Sequence, residues 1–194
     1  MSKTFRTTLT RLASAAMAVA AAPLVVGALP AHAADKPATP ASVRPALSGV
    51  FHAIRNTGSN LCLEPAGQST AEFAAIVQQP CVTTGGESLA QGWQPIKVGT
   101  NHYRFVNQLS GYCFDAFDGA FNGARLLQGT CVAISNEEFN TGTSLPAVTK
   151  IESRVHFTDT GYCVDVPGGG HTPGQAMQIY RCNGTPAQIW VIGF

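Results

Sequence analysis

The chain has 194 residues, 12 Lys+Arg against 11 Asp+Glu, and six cysteines. Three of its basic residues, Lys3, Arg6 and Arg11, precede any acidic one. From residue 34 onward nine basic and eleven acidic residues leave a formal charge of −2, which excludes the broad basic face that nucleic-acid binding requires.

Taken in chain order, the basic start leads into an alanine-rich apolar run from Leu12 to Leu29, broken by Pro23. Ala31-His32-Ala33 follows, the small-x-small form that signal peptidase reads. The run is almost long enough to span a bilayer, but its alanine content makes it weakly hydrophobic. Residues 1–33 are therefore expected to be a Sec-type signal peptide, cleaved between Ala33 and Ala34, and the product to be secreted. No cysteine near the site suggests a lipid anchor, and no adjacent arginines suggest twin-arginine export. Residues 34–48, rich in alanine and proline without periodicity, read as a flexible leader. Residues 49–194 have the size of one domain and hold no apolar run long enough for a transmembrane helix, so no membrane insertion is expected after cleavage.

The cysteines stand at Cys62, Cys81, Cys113, Cys131, Cys163 and Cys182, spaced 19, 32, 18, 32 and 19 apart. Six cysteines allow fifteen pairings, but this alternation predicts three short loops, each closed by its own bridge. An exported chain would keep such bridges oxidised. There is no Cys-x-x-Cys and the histidines are scattered, so no metal is expected.

More than cysteines recurs. Eight residues before each first cysteine stands an apolar residue, Ile54, Phe105 or Val155, and two after it an acid, Glu64, Asp115 or Asp165. Each unit closes on a Gln-x-Trp pattern, intact at Gln91–Trp93 and Gln188–Trp190 and decayed to Glu-x-Phe at Glu137–Phe139. Repeats of about fifty residues (49–100, 101–150 and 151–194), cut by Gly, Asn, Ser and Pro into apolar runs such as "AAIVQQ" and "AMQIY", read as four short strands each. One unit cannot bury its own apolar face, so three must share a core. The expected fold is all-β: a β-trefoil with pseudo-threefold symmetry and one disulfide within each repeat. Residues 140–150 read as an extension of the second repeat.

With a Cys-x-acid step (Asp twice, Glu once) and a second cysteine 18 or 19 residues on in all three repeats, and a closing Gln-x-Trp intact twice and decayed once, residues 49–194 resemble a ricin-B-type lectin domain. They are also similar to the family 13 carbohydrate-binding modules. The resemblance implies up to three shallow sugar sites. Each combines the Cys-x-Asp acid, a Gln four before the second cysteine, an aromatic two before it, and the Asn-Gln of the closing motif. A carboxylate accepts hydrogen bonds from paired hydroxyls, and an aromatic ring matches the C–H face of a pyranose.

By that resemblance the third repeat is the working site. Asp165 is the hydroxyl acceptor, Gln178 a polar contact and Tyr180 the stacking platform, with Gln188 as buttress or contact and His171 leaning over from a glycine-rich loop. Ala187 stands where an Asn is usual, and Asn183 reads as the start of an Asn-Gly turn. The second repeat keeps Asp115, Asn136 and Glu137, but Gly129 replaces the aromatic and Leu127 the Gln, so it is expected not to bind. The first, with Glu64 and Gln91 but Val77 and Gln79, is weaker still. Any of the acids could instead serve only to cap a turn.

The expected function is a non-catalytic carbohydrate-binding protein for galactose-type sugars or xylan-like polysaccharide, with no cofactor. The alternative is a protein-interaction or toxin-delivery trefoil, partnered with a separate enzyme or toxin chain, for which Phe114, Phe117 and Phe121 are the candidate surface. No Gly-x-Ser-x-Gly, His-Glu-x-x-His or phosphate-loop motif points to an enzyme.

Overall fold

Asn56 shows how these repeats begin. Its side-chain oxygen accepts from the amides of Gly58 and Ser59, both at 2.9 Å, and so reverses the chain between two short strands. The structure, a computed structural model, describes residues 49–82 and 88–193; the expected signal peptide and leader lie outside them.

The first repeat comprises β1 (Ile54–Asn56), β2 (Leu61–Pro65), β3 (Ile76–Pro80) and β4 (Trp93–Gly99). The second comprises β5 (His102–Asn107), β6 (Cys113–Asp115), β7 (Ala124–Arg125), β8 (Leu127–Gly129), β9 (Phe139–Asn140) and β10 (Ala147–Thr149). Here β7 and β8 are one strand interrupted at Leu126. The third comprises β11 (Glu152–Val155), β12 (Thr158–Asp165), β13 (Gln178–Arg181) and β14 (Trp190–Ile192). All pairings are antiparallel, and the last strand returns to the first: Trp190 faces Asn56 and Ile192 faces Ile54. Closure of this kind leaves few open edges. Each repeat carries its own bridge, Cys62–Cys81, Cys113–Cys131 and Cys163–Cys182, as the spacing predicts.

The core is built from positions that recur in every repeat. Leu63, Phe114 and Val164 precede the three acids, and all are fully buried. Ile76, Leu126 and Met177 meet around the axis, where the Ile76 amide donates to the Leu126 carbonyl (3.0 Å) and the Met177 amide to that of Ile76 (2.8 Å). Trp93, Phe139 and Trp190 fill the space between the repeats. Each indole N–H is spent inside: Trp93 donates to the Leu63 carbonyl at 2.8 Å and Trp190 to that of Val164 at 3.1 Å. Phe139 has no such donor. The second repeat compensates with aromatic packing, since Phe114 lies 4.2 Å from Trp93 and 5.3 Å from Phe105 between ring centroids.

Two sequence expectations are corrected by the register. Arg55 faces Cys62 and Val106 faces Cys113, but the equivalent partner of Cys163 is Glu152. The β11–β12 hairpin is therefore four residues longer than its counterparts. Ile151, fully buried, and not Val155, takes the place of Ile54 and Phe105. Residues 140–150 are not an insertion either, because Gln94 to Val106 and Asn140 to Glu152 are paired across equal intervals of twelve residues. Instead of continuing its own hairpin, this connection swings across so that Ala147–Thr149 pairs with β14.

Candidate functional site

Asp115 and Asp165 end β6 and β12, Glu64 stands one residue before the end of β2, and all three are nearly buried. Glutamine of the closing motif fixes two of them by the same strap. Gln188 accepts from the Asn183 amide (2.7 Å) and donates to Asp165 (3.0 Å) and to the Arg181 carbonyl (3.0 Å). Gln91 accepts from the Val82 amide (3.0 Å) and donates to Glu64 (2.9 Å) and to the Pro80 carbonyl (2.9 Å). Gln-x-Trp is thus a structural motif first: the Gln ties the second cysteine's loop to the acid, and in the same repeat the Trp anchors the carbonyl just before that acid.

In the third repeat Asp165 faces Gln178 across β12–β13 and accepts from its amide at 2.7 Å. The carboxylate is only 4% exposed. Both its oxygens are held by neutral amides, and each keeps acceptor capacity for a further donor. Burial raises its pKa above the ordinary carboxylate value, against the lowering effect of the two glutamines. Tyr180 lies two residues from Gln178 on β13, hence on the same face, and is 37% exposed. Asp165, Gln178, Tyr180 and His171 line one cleft of about 620 Å³, while Gln188 sits behind Asp165. Asn183 forms the expected turn, accepting from Thr185 through Oδ1 with Gly184 at φ 70°, but it also lines the cleft. So does Asn56 of the first repeat, which donates to the carbonyls of Pro186 and Ala187 and holds that wall. No local signal in the third repeat points to Asn56, because it arrives through barrel closure.

The second repeat is rearranged around a second carboxylate. Asn136 donates to Asp115. Glu137, standing where the strap glutamine should be, can only accept, from the amides of Val132 (3.1 Å) and Ala133 (3.0 Å). A side chain at Gly129 would meet Asp115 itself, since a Cβ there falls 2.8 Å from Oδ2. The expected platform position is thus closed by the acid. Burial and the nearby charge of Glu137 push Asp115 up to about 6, with Asn136 opposing them. Folded, Asp115 holds its proton up to about pH 6; unfolded, only to about 4. The stabilisation from protonation is complete below about pH 4 and lost as pH rises through 6. Asp115→Asn is therefore expected to raise stability by about 1–2 kcal/mol at pH 7.5 and change it little at pH 4. Urea unfolding at the two pH values tests this, and an equal effect at both would refute it.

The first repeat has an open cleft of about 460 Å³ with Glu64, Gln79 and Gln91 in its walls. Its described lining includes no aromatic ring, since Gln79 stands opposite Cys62 where Tyr180 stands opposite Cys163.

Residues 45–129 match the family model described as ricin-type beta-trefoil lectin domain-like. Among solved structures, a designed 3-fold symmetric protein, ThreeFoil, superposes with a TM-score of 0.63 at 21% identity, covering 72% of this chain and 95% of that one. The fold is a β-trefoil, and residues 45–129 are similar to the ricin-type lectin domains that share it. The earthworm R-type lectin C-half in complex with GalNAc shares this trefoil with a TM-score of 0.56 at 16% identity, over 73% of this chain and 96% of its own. The exo-beta-1,3-galactanase 1,3Gal43A from Clostridium thermocellum matches at 26% identity and a TM-score of 0.61, over 73% of this chain. This chain spans only 29% of that enzyme. No curated protein sequence matches the chain. The third repeat, with its aspartate, glutamine and tyrosine in one cleft, lies beyond the matched stretch.

Proposed function

We propose that this is a secreted, non-catalytic carbohydrate-binding protein whose main site is the third-repeat cleft. The observation that carries this reading is a nearly buried carboxylate, Asp165, fixed by two neutral amides beside the half-exposed ring of Tyr180. A turn cap has no need of an exposed tyrosine at this spacing. A sugar does: two hydroxyls donate to the carboxylate while the ring takes the C–H face. Galactose-type sugars and xylan-like chains both offer that combination. The signal-like segment at 1–33 supports export. Two charge-assisted hydrogen bonds and one stacked face amount to roughly 4–5 kcal/mol, a millimolar to sub-millimolar site, so useful retention depends on multivalent ligands.

The test is retention of residues 34–194 on immobilised galactosides and on xylan beside Asp165→Asn and Asp165→Ala. Asparagine keeps the shape and one acceptor oxygen but removes the charge. Both variants are expected to lose at least tenfold in affinity on the ligand recognised, with thermal unfolding of the Asn variant close to that of the parent. Undiminished binding by both would remove Asp165 from the site.

A further inference from the structure

Backbone contacts fix the correspondence between the second and third repeats. The Ala116 amide donates to the Asn136 carbonyl (2.9 Å) as the Val166 amide donates to that of Ala187 (3.1 Å). The Gly119 amide reaches Ala116 as that of Gly169 reaches Val166. The turn Ser135–Glu137 therefore stands where Pro186–Gln188 stands. Beside it opens a cleft of about 650 Å³, as large as that of the third repeat.

Its walls come from elsewhere. Phe117, in the loop after Asp115, lines one part; Ile134 lines another; and Phe157, at the tip of the long β11–β12 hairpin, lines a third. Where the first repeat lends Asn56 and Gly58 to the cleft of the third, the third lends an aromatic ring to the cleft of the second. The four extra residues of that hairpin deliver it. Asp115 closes the usual platform position at Gly129, and Phe157 supplies a ring from the neighbouring repeat.

Phe157 is held in place at a cost. It is 59% exposed and, with His156, has positive φ (62° and 50°), a strained conformation for a bulky side chain. The tip persists because Arg154 bonds Glu138 (2.7 Å), Asp159 (3.1 Å) and the Phe157 carbonyl. The His156 amide also donates to Ser135 Oγ (2.8 Å), tying the tip to the turn on the cleft wall. Phe117, 45% exposed, packs edge-on against Phe73 (5.1 Å), and the Arg125 guanidinium stands over it at 5.3 Å. Phe121 is also half-exposed, whereas Phe114 is core. Both rings of the cleft are thus in position before a ligand arrives.

The polar groups of this cleft are largely engaged. Asp118 binds Arg125 at 2.7 Å, Asn136 donates to Asp115, and Ser135 accepts from His156. Asp115 itself is buried and carries its neighbour's negative charge beside it. Recognition here runs through C–H contact and shape rather than through a pattern of vicinal hydroxyls. Internal units of a β-1,4-linked pyranose chain, whose equatorial hydroxyls leave flat C–H faces, meet that requirement.

We propose that the second repeat carries its own saccharide-binding cleft, with Phe117 and Phe157 as platforms, taking internal units of a β-1,4-linked chain. This rests on the reading of the protein as carbohydrate-binding but not on the third-repeat site. The test is affinity electrophoresis of residues 34–194 in gels containing soluble β-1,4-xylan, with Phe157→Ala, Phe117→Ala, Asp165→Asn and the Phe157→Ala/Asp165→Asn pair. Phe157 is exposed at a hairpin tip, so its replacement leaves the core intact. Asp165→Asn is expected to keep part of the retardation, Phe157→Ala and Phe117→Ala each to lose at least fivefold in affinity, and the pair to migrate as in a plain gel. Retardation lost with Phe157→Ala but untouched by Asp165→Asn would sustain this cleft while removing xylan from the third. Complete loss with Asp165→Asn alone, or no effect of either phenylalanine, would overturn the proposal and leave the third-repeat site standing. It falls too if xylan does not retard the parent. Self-association relieved by Phe157→Ala with retardation unchanged would mark the patch as a protein contact and likewise overturn it.

Discussion

Trp190→Ala is expected to cost the fold about 4 kcal/mol, a large part of the 5–15 kcal/mol by which domains are stable. The indole is fully buried, and its removal leaves a cavity where the first and third repeats meet. It also strands the Val164 carbonyl, which accepts from the indole at 3.1 Å and immediately precedes Asp165. Trp190→Phe separates the two effects. It keeps most of the packing, loses the hydrogen bond, and should cost about 2 kcal/mol. The molecule contains a precedent, since Phe139 occupies this position in the second repeat. Urea unfolding followed by far-UV circular dichroism reads both. A loss below about 1 kcal/mol for the alanine variant would mean that the closing strand is not what seals the barrel.

The sequence made the architecture legible because cysteines, acids and closing tryptophans keep their phase where the chain is pinned to the barrel. Counting back eight residues from a cysteine succeeds for Ile54 and Phe105, whose hairpins are equally short. It fails for Val155, where the hairpin is longer and the core residue, Ile151, lies further back. The same extension made 140–150 look inserted, since length gained after Ile151 was charged to the segment before it. Asp165, Gln178 and Tyr180 could be grouped from spacing alone because one two-stranded ladder carries all three. Asn56 and Phe157 could not. Each reaches its cleft from the next repeat, and no interval within a repeat records that contact.

Glu138→Ala should test whether the long hairpin is held by the charges beneath it. Glu138 is buried between two guanidinium groups, accepting from Arg104 at 2.9 Å and Arg154 at 2.7 Å. Arg104 already has a buried Nε without a partner, and the substitution would take away its bonded carboxylate as well. Taking the buried carboxylate away from two partly buried guanidinium groups costs about 2 kcal/mol, of which screening by salt recovers part. Arg154 would keep Asp159 but lose its tie to the barrel, so the tip at His156 and Phe157 should loosen. Two readouts separate this from a general loss of stability. Amide exchange should quicken at the tip far more than in β12 beyond Cys163, and xylan retardation should fall toward that of Phe157→Ala. Ligand retention that depends on Asp165 should stay near the parent value under conditions where the variant is folded. A uniform rise in exchange with both binding activities reduced alike would show that Glu138 supports the barrel as a whole and has no particular hold on the hairpin.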